Sequence, residues 1–177
     1  MKRLAYLALV GFFCSFGCQP EGQSRIRGYD DVSQYGFYGL DRVAKDSFES
    51  GNYARARKCA EALKQMTSEF KGDWNYGNAI EDYNIVFGRL ALREGRVEEA
   101  KECLLAAGDS PGSPQMNSFG PNMSLAHDLL LKGERKVVLQ YFKKCAKFWK
   151  ADFGALKYWT NEVKAGQVPW FGPNLIY

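Results

Sequence analysis

The sequence predicts an all-α fold, and three observations carry that reading. Apolar residues recur at helical spacing, as in Ile80, Tyr83, Phe87, Leu90 and Ala91, or in Leu125, Leu129 and Leu130. Gly51, Gly95, Gly133 and Gly166 each follow a run of good helix formers. Glycine is favoured just past a helix end because it takes positive φ without steric cost. No strand-like alternation of polar and apolar residues persists anywhere in the chain. With 177 residues, 46% of them apolar and 25% charged, the composition suits one globular domain and excludes wholesale disorder.

The N-terminus reads as a targeting segment. Lys2 and Arg3 precede the uncharged run Leu4 to Phe16, the layout of a secretory signal. A membrane-spanning helix needs about 20 apolar residues, so this run is too short to cross well. Gly17 directly before Cys18 resembles the lipobox of bacterial lipoproteins. That resemblance implies a signal peptide over residues 1–17 and a lipidated Cys18 as the first mature residue. Gln19, which is not Asp, implies sorting to the outer membrane. A plain cleaved signal and an uncleaved anchor are the alternatives. Residues 18–32 would then be the lipid-bearing cysteine and a flexible tether, polar and containing Pro20, Gly22 and Gly28. The 24 basic residues less Lys2 and Arg3 leave 22, against 20 acidic ones, in the mature chain. So balanced a charge is no footprint for nucleic acid.

Residues 33–150 repeat themselves. Seven residues before the first three glycines stand Ala44, Gly88 and Ala126; five after stand Ala56, Ala100 and Val138; nine after, Ala60, Leu104 and Phe142. Small residues fall where two helices must approach closely, with larger apolar ones in the next layer. Val97–Ala107 and Val137–Trp149 read as the second helices of their hairpins. The clearest unit, Phe87-Gly88, Gly95, Ala100, Leu104 and Ala107, resembles the tetratricopeptide repeat, and so does Gly51-Asn52-Tyr53 with Ala56. The resemblance implies antiparallel helix hairpins stacked as about three repeats. Glycine spacings of 44 and 38 depart from the family's period of about 34. A generic bundle of six or seven helices is the alternative.

Residues 151–177 close the chain. Asp152–Ala165 reads as a capping helix, with Asp152 as N-cap and Phe153, Leu156, Trp159 and Val163 as its apolar stripe. The tail after it, Val168 to Tyr177, is strongly apolar and carries Pro169 and Pro173, so it either packs back on the domain or docks on a partner.

Few residues suggest catalysis. With His127 as the single histidine, a His pair or a multi-His metal site is impossible within one chain. Gly108-Asp109-Ser110-Pro111-Gly112 matches the G-x-S-x-G string, but that motif needs a strand before its serine and a helix directly after it. Here a helix precedes it, and Pro111 and Pro114 follow. Cys59, Cys103 and Cys145 are an odd set without C-x-x-C and read as small apolar fillers. The pairs Asp30-Asp31, Glu81-Asp82 and Glu98-Glu99 are adjacent in sequence, so on a helix their side chains diverge. No P-loop, H-E-x-x-H or EF-hand pattern occurs, and no cofactor or metal is expected.

One constellation points to binding. Six residues before the three glycines stand Lys45, Arg89 and His127; ten before, Asp41, Ile85 and Met123; thirteen before, Tyr38, Asp82 and Gly120. In the tetratricopeptide family the first of these positions faces a concave groove. The resemblance therefore implies a basic stripe beside apolar residues, able to hold a carboxylate of a partner segment. The alternative is that Lys45 and Arg89 pair with Asp41 and Asp82 on a solvated face.

The expected function is that of an envelope lipoprotein, held on the membrane by its lipid and facing the periplasm, whose repeats form a protein-protein interaction or assembly module. An enzyme or small-molecule binder using the aromatic faces with Lys45, Arg89 and Asp82 is the alternative; a purely structural module is a third. Mass analysis of the protein recovered from envelopes should show a chain that begins at an acylated Cys18. An intact Met1 would refute the targeting argument.

Overall fold

Every regular element among the described residues is helical. The computed structural model describes Val32 and residues 34–176; the signal segment, Cys18 and the tether before Val32 lie outside the described residues. The helices are α1 (Phe37–Glu49), α2 (Tyr53–Thr67), α3 (Tyr76–Arg93), α4 (Val97–Gly108), α5 (Pro114–Phe119), α6 (Ser124–Leu131), α7 (Arg135–Cys145) and α8 (Ala155–Lys164). Short 3-10 turns occupy Ser68–Phe70 and Gly172–Leu175. No helix among the described residues is long and apolar enough to cross a membrane.

Four helices end in the same way. Gly51, Gly95, Gly133 and Gly166 have φ of 82°, 80°, 85° and 85°. The residue after each glycine returns its N–H to a carbonyl one turn and more behind: Asn52 to Ser47, Arg96 to Ala91, Glu134 to Leu129 and Gln167 to Glu162. The glycine N–H groups bond Phe48, Leu92, Leu130 and Val163. This is the Schellman closure, which satisfies the last orphan carbonyls of a helix and turns the chain sharply. At the first three ends the turn folds α2 back on α1, α4 on α3 and α7 on α6.

Helix α3 lies at the centre, touching α1, α2, α4, α5 and α6. It feeds two apolar clusters. Ala79, Val86 and Leu90 pack with Phe37, Leu40 and Leu63 from α1 and α2. Ile85, Ala91 and Leu92 pack with Leu104, Leu129 and Tyr141 from α4, α6 and α7. Each large apolar side chain fully buried in this way contributes about 1.5–3 kcal/mol. Contact is close at Gly88, where an added Cβ would overlap Leu125 Cδ2 and come within 3.0 Å of Cys103 Cβ. Ala44, Ala56, Ala100 and Ala126 are likewise buried, small where neighbouring helices press together.

The C-terminal region departs from expectation in three places. α7 stops at Cys145 rather than Trp149, because the Lys147 and Phe148 N–H groups bond carbonyls three residues back, Lys144 (3.0 Å) and Cys145 (3.1 Å), in a tighter closing turn. The last helix begins at Ala155, not Asp152: Phe153 (φ 48°) and Gly154 (φ 88°) first make a left-handed bend. Gly154, not Asp152, is the N-cap, although the Asp152 carboxylate accepts from the Leu156 N–H (3.3 Å) and its carbonyl from Ala155 (2.8 Å). That bend turns Phe153 out, 96% exposed, while Leu156, Trp159 and Val163 are buried. The tail packs back through Phe171, whose ring meets Trp159 edge-on at 5.0 Å. Asn174 fastens it: its carbonyl accepts from Met123 N–H (2.7 Å), and its amide donates to the carbonyls of Phe119 (3.0 Å) and Pro121 (2.9 Å). Trp170 and Ile176 remain exposed.

Two glycines should respond oppositely to alanine. Gly39, within α1, has nothing within 4 Å of its would-be Cβ. Gly39→Ala should add about 0.5–1 kcal/mol of stability by stiffening the unfolded chain and favouring the helix. Gly88→Ala should remove about 1–3 kcal/mol by forcing α3 away from α6. Denaturant unfolding of both variants checks the pair, and equal effects would contradict the close approach at Gly88.

Candidate functional site

A helix packed on nearly every side must bury some of its polar residues, and α3 does so at Asn78, Glu81 and Asp82. Each is satisfied by a different neighbour. Asn78 Nδ2 donates to Asn75 Oδ1 (2.8 Å) and Gln115 Oε1 (3.0 Å), and its Oδ1 accepts from Ser113 Oγ (2.5 Å). Asp82 Oδ1 accepts from Lys45 Nζ at 3.1 Å. Glu81 Oε1 accepts from Asn122 N–H (3.0 Å) and lies 2.9 Å from the Tyr141 hydroxyl. The adjacent carboxylates thus diverge to opposite partners, as their neighbouring positions on a helix require.

Glu81 is the residue that sequence reasoning missed as a special group. Burial first, and then the charge of Asp82, push its carboxyl up to about 8, against the opposing effect of its hydrogen bonds. The geometry suits the neutral form. Tyr141 has one hydroxyl proton and sits 2.9 Å from both Glu81 Oε1 and the Asn122 carbonyl. A protonated Glu81 can donate to the Tyr141 oxygen while Tyr141 donates to Asn122, so every group is used. The only hint in the sequence is a carboxylate beside Ala79, Ile80, Ile85 and Val86, and polar residues are equally common on an exposed helix face.

Lys45, Arg89 and His127 line one cavity of about 380 Å³, together with Ile85, Ser124 and Ile176. Three helices present them: Lys45 from α1, Arg89 from α3 and His127 from α6. The surroundings are not basic, because Asp46, Glu49 and Asp128 line the same cavity. Lys45 is held by Asp82 and, at 3.7 Å, by Asp41. Burial alone would push its ammonium down, but these two carboxylates outweigh it and raise it above the ordinary value. Arg89 pairs with Asp128 (2.8 Å) and Glu49, not with Asp41 or Asp82, and its guanidinium lies over the Phe48 ring at 4.3 Å. Its pKa rises for the same reason, burial being outweighed by Asp128 and Glu49. His127 Nδ1 stands 3.7 Å from Asp128 Oδ1, with Phe171 edge-on to its ring.

The remaining expected groove residues are distributed differently. Ile85 is almost fully buried, showing only an edge to the cavity, and Met123 is wholly buried. Met123 and Gly120 precede α6, which starts at Ser124 because Gly120 (φ 91°), Pro121 and Asn122 hold the chain in a loop. Tyr38, Asp41 and Asp82 line a second, smaller cavity with Trp74 and Phe119, and Lys45 borders both.

Groups that could act as nucleophiles serve packing instead. Ser110 Oγ is buried, donates to the Gly77 carbonyl (2.7 Å) and accepts from Gly112 N–H (3.1 Å) in the loop after α4. Cys59 and Cys145 are buried, Cys103 is half-buried, and all three are free thiols. Burial raises the pKa of each, Cys145 most, which disfavours the reactive thiolate. Among the described residues no cluster of His, Cys, Asp and Glu could hold a metal ion. Compared with known protein families, with curated proteins and with solved structures, the chain matches none.

The raised carboxyl of Glu81 sets a direction for pH dependence. In the folded chain it keeps its proton up to about 8, whereas unfolded it loses it near 4.5. The folded state therefore binds more protons across that window, and this contribution to stability falls as pH rises through it. Glu81→Gln, a permanently neutral mimic, should show a flatter dependence of melting temperature between those limits than the parent chain. Parallel curves would mean that Glu81 is ionised in the fold.

Proposed function

We propose that this chain is an envelope lipoprotein whose hairpins stack in the tetratricopeptide-like manner and bind a segment of another protein between α1, α3 and α6. The observation that carries the reading is that Lys45, Arg89 and His127, equivalent positions before three successive helix-ending glycines, line one cavity. The pairing of Lys45 and Arg89 with carboxylates sharpens the kind of partner. A free anion would have to displace Glu49 or Asp128, at a desolvation cost. A peptide backbone, which offers donors and acceptors together, suits a lining that mixes carboxylates and cations with Asn122, Ser124 and the apolar edges of Ile85 and Ile176. Lipid on Cys18 would hold the protein on the membrane, the outer membrane by the Gln19 argument, with the helical domain in the periplasm. The reading requires no cofactor.

A second reading rests on the cavity's volume. About 380 Å³ falls within the range of small-molecule sites, roughly 300–1,000 Å³. Photocrosslinking separates the two. A crosslinking residue in place of the exposed, cavity-lining Glu49 should give a discrete protein adduct in envelopes, and one at Glu61 on the outer face of α2 should not. Ile176→Trp, which narrows the mouth at an exposed position, should reduce the Glu49 adduct several-fold. Identical adducts at both positions would discard the segment-binding reading. A small molecule that co-purifies with the parent chain but not with Ile176→Trp would favour the second.

A further inference from the structure

The smaller cavity has a chemistry of its own. Its rim is aromatic and open to solvent: Tyr38, Trp74 and Phe119 are 55%, 56% and 58% exposed. Tyr38 and Trp74 stand nearly parallel, 9° apart with centroids at 5.9 Å. The Tyr38 hydroxyl is turned to Asp73, to which it donates at 2.7 Å. The exposed parts of the Tyr38 and Trp74 rings lose the stabilisation of burial, and a ligand that covers them recovers it.

Beneath the rim the lining is acidic. Among the described residues Asp41 and Asp82 share the cavity with one cation, Lys45, whose closer bond is to Asp82. Asp41 Oδ1 is buried yet accepts no hydrogen bond from any described residue. A buried acceptor left without a donor costs about 1–3 kcal/mol, and since the Asp41 side chain as a whole is 24% exposed, rotation of its carboxylate would offer that oxygen to an N–H donor in the cavity. The neighbouring amide of Asn78 cannot fill the role, since both its oxygen and its nitrogen are already engaged. The cavity measures about 130 Å³, well below the roughly 300 Å³ of sites that enclose a whole small molecule. It has room for a head group only.

An exposed aromatic rim over an excess of carboxylate is the setting in which an ammonium or guanidinium ion is attracted by ring faces and by charge at once. We propose that the Tyr38, Trp74 and Asp41 cavity is a receptor for a cationic side chain, the guanidinium of an arginine or the ammonium of a lysine. Resting on the segment-binding reading, this names the chemistry of the segment: a basic residue is seated here, and its backbone continues past Lys45 into the larger cavity. Lys45 is the border between the two cavities, and its ion pairs with Asp82 and Asp41 fix that border in place.

The test follows the Trp74 indole N–H resonance of the purified full chain while blocked amino acids are titrated in. Nα-acetyl-arginine methylamide, or the lysine equivalent, should shift it saturably in the millimolar range. The citrulline equivalent, uncharged but of nearly the same shape, should bind at least tenfold more weakly. Asp41→Asn should weaken the arginine derivative about fivefold or more while leaving the melting temperature close to that of the parent chain. In Trp74→Leu, an exposed position, the same loss should be read at Tyr38. Equal binding of citrulline, or no saturable shift with either cation, overturns the proposal. If cations bind but Glu49 yields no protein adduct, the receptor stands and the segment reading falls; an adduct without cation binding gives the converse.

Discussion

The structure depends on the burial of α3 from both sides. Its 18 residues supply apolar groups to two clusters, one with α1 and α2 and one with α4, α6 and α7, so it joins the two halves of the core. A helix in that position cannot turn a polar face to water. Its polar residues must instead find partners inside, and those partners are spread over several elements. Asp82 binds α1, Glu81 binds α7 and the loop before α6, Asn78 binds α5 and its N-cap, and Arg89 binds α1 and α6. The residues that would be surface decoration on an outer helix here set where the other helices go. The exposed ion pair Arg57–Glu94 and the half-buried Lys101–Glu134 also join neighbouring hairpins, but pairs near the surface contribute only about 0.2–1 kcal/mol each.

The same constraint shapes the candidate site. The two cavities border α3 where its buried polar residues approach the surface, and their walls come from α1, α5, α6 and the tail. Because Lys45 and Arg89 are committed to carboxylates, the face is one of fixed, alternating charges rather than of free positive ones. Such a face discriminates by pattern: a ligand must match cations and anions at set places, and a simple anion finds its cations occupied. Held charges of this kind favour specificity over raw affinity. The tail adds to the arrangement from the far side, since Phe171 and Asn174 anchor Leu175 and Ile176 at the edge of the larger cavity.

How much of this could be read beforehand varies by residue. The ends of α1, α3, α6 and α8 were legible because a glycine after a helix-forming run answers a purely local need, positive φ and a closed last turn. The close packing at Ala44, Gly88, Ala100 and Ala126 was legible because small residues recur at fixed distances from those glycines. Less local features escaped. The late start of α8 follows from the left-handed bend at Phe153, a residue with little preference for it. The partners of Arg89 lie 40 positions before it and 39 after it, and no spacing rule selects Glu49 and Asp128 over Asp41 and Asp82. Trp74 and Phe119 meet the Tyr38 cavity from a loop and from the end of α5, outside any repeat register.

By itself, then, the sequence determined the helical class, the places where most helices stop and the small residues at which they touch, since all three are settled within a turn or two of backbone. It also placed Lys45, Arg89 and His127 at equivalent positions. Only the tertiary structure decided what those positions mean. Whether a lysine is a free cation or half of an ion pair, whether Glu81 keeps its proton, and whether an aromatic ring is core or rim depend on groups distant in sequence that packing brings within a few ångströms. Charge, proton affinity and burial are properties of that assembled neighbourhood, and the order of residues along the chain does not contain it.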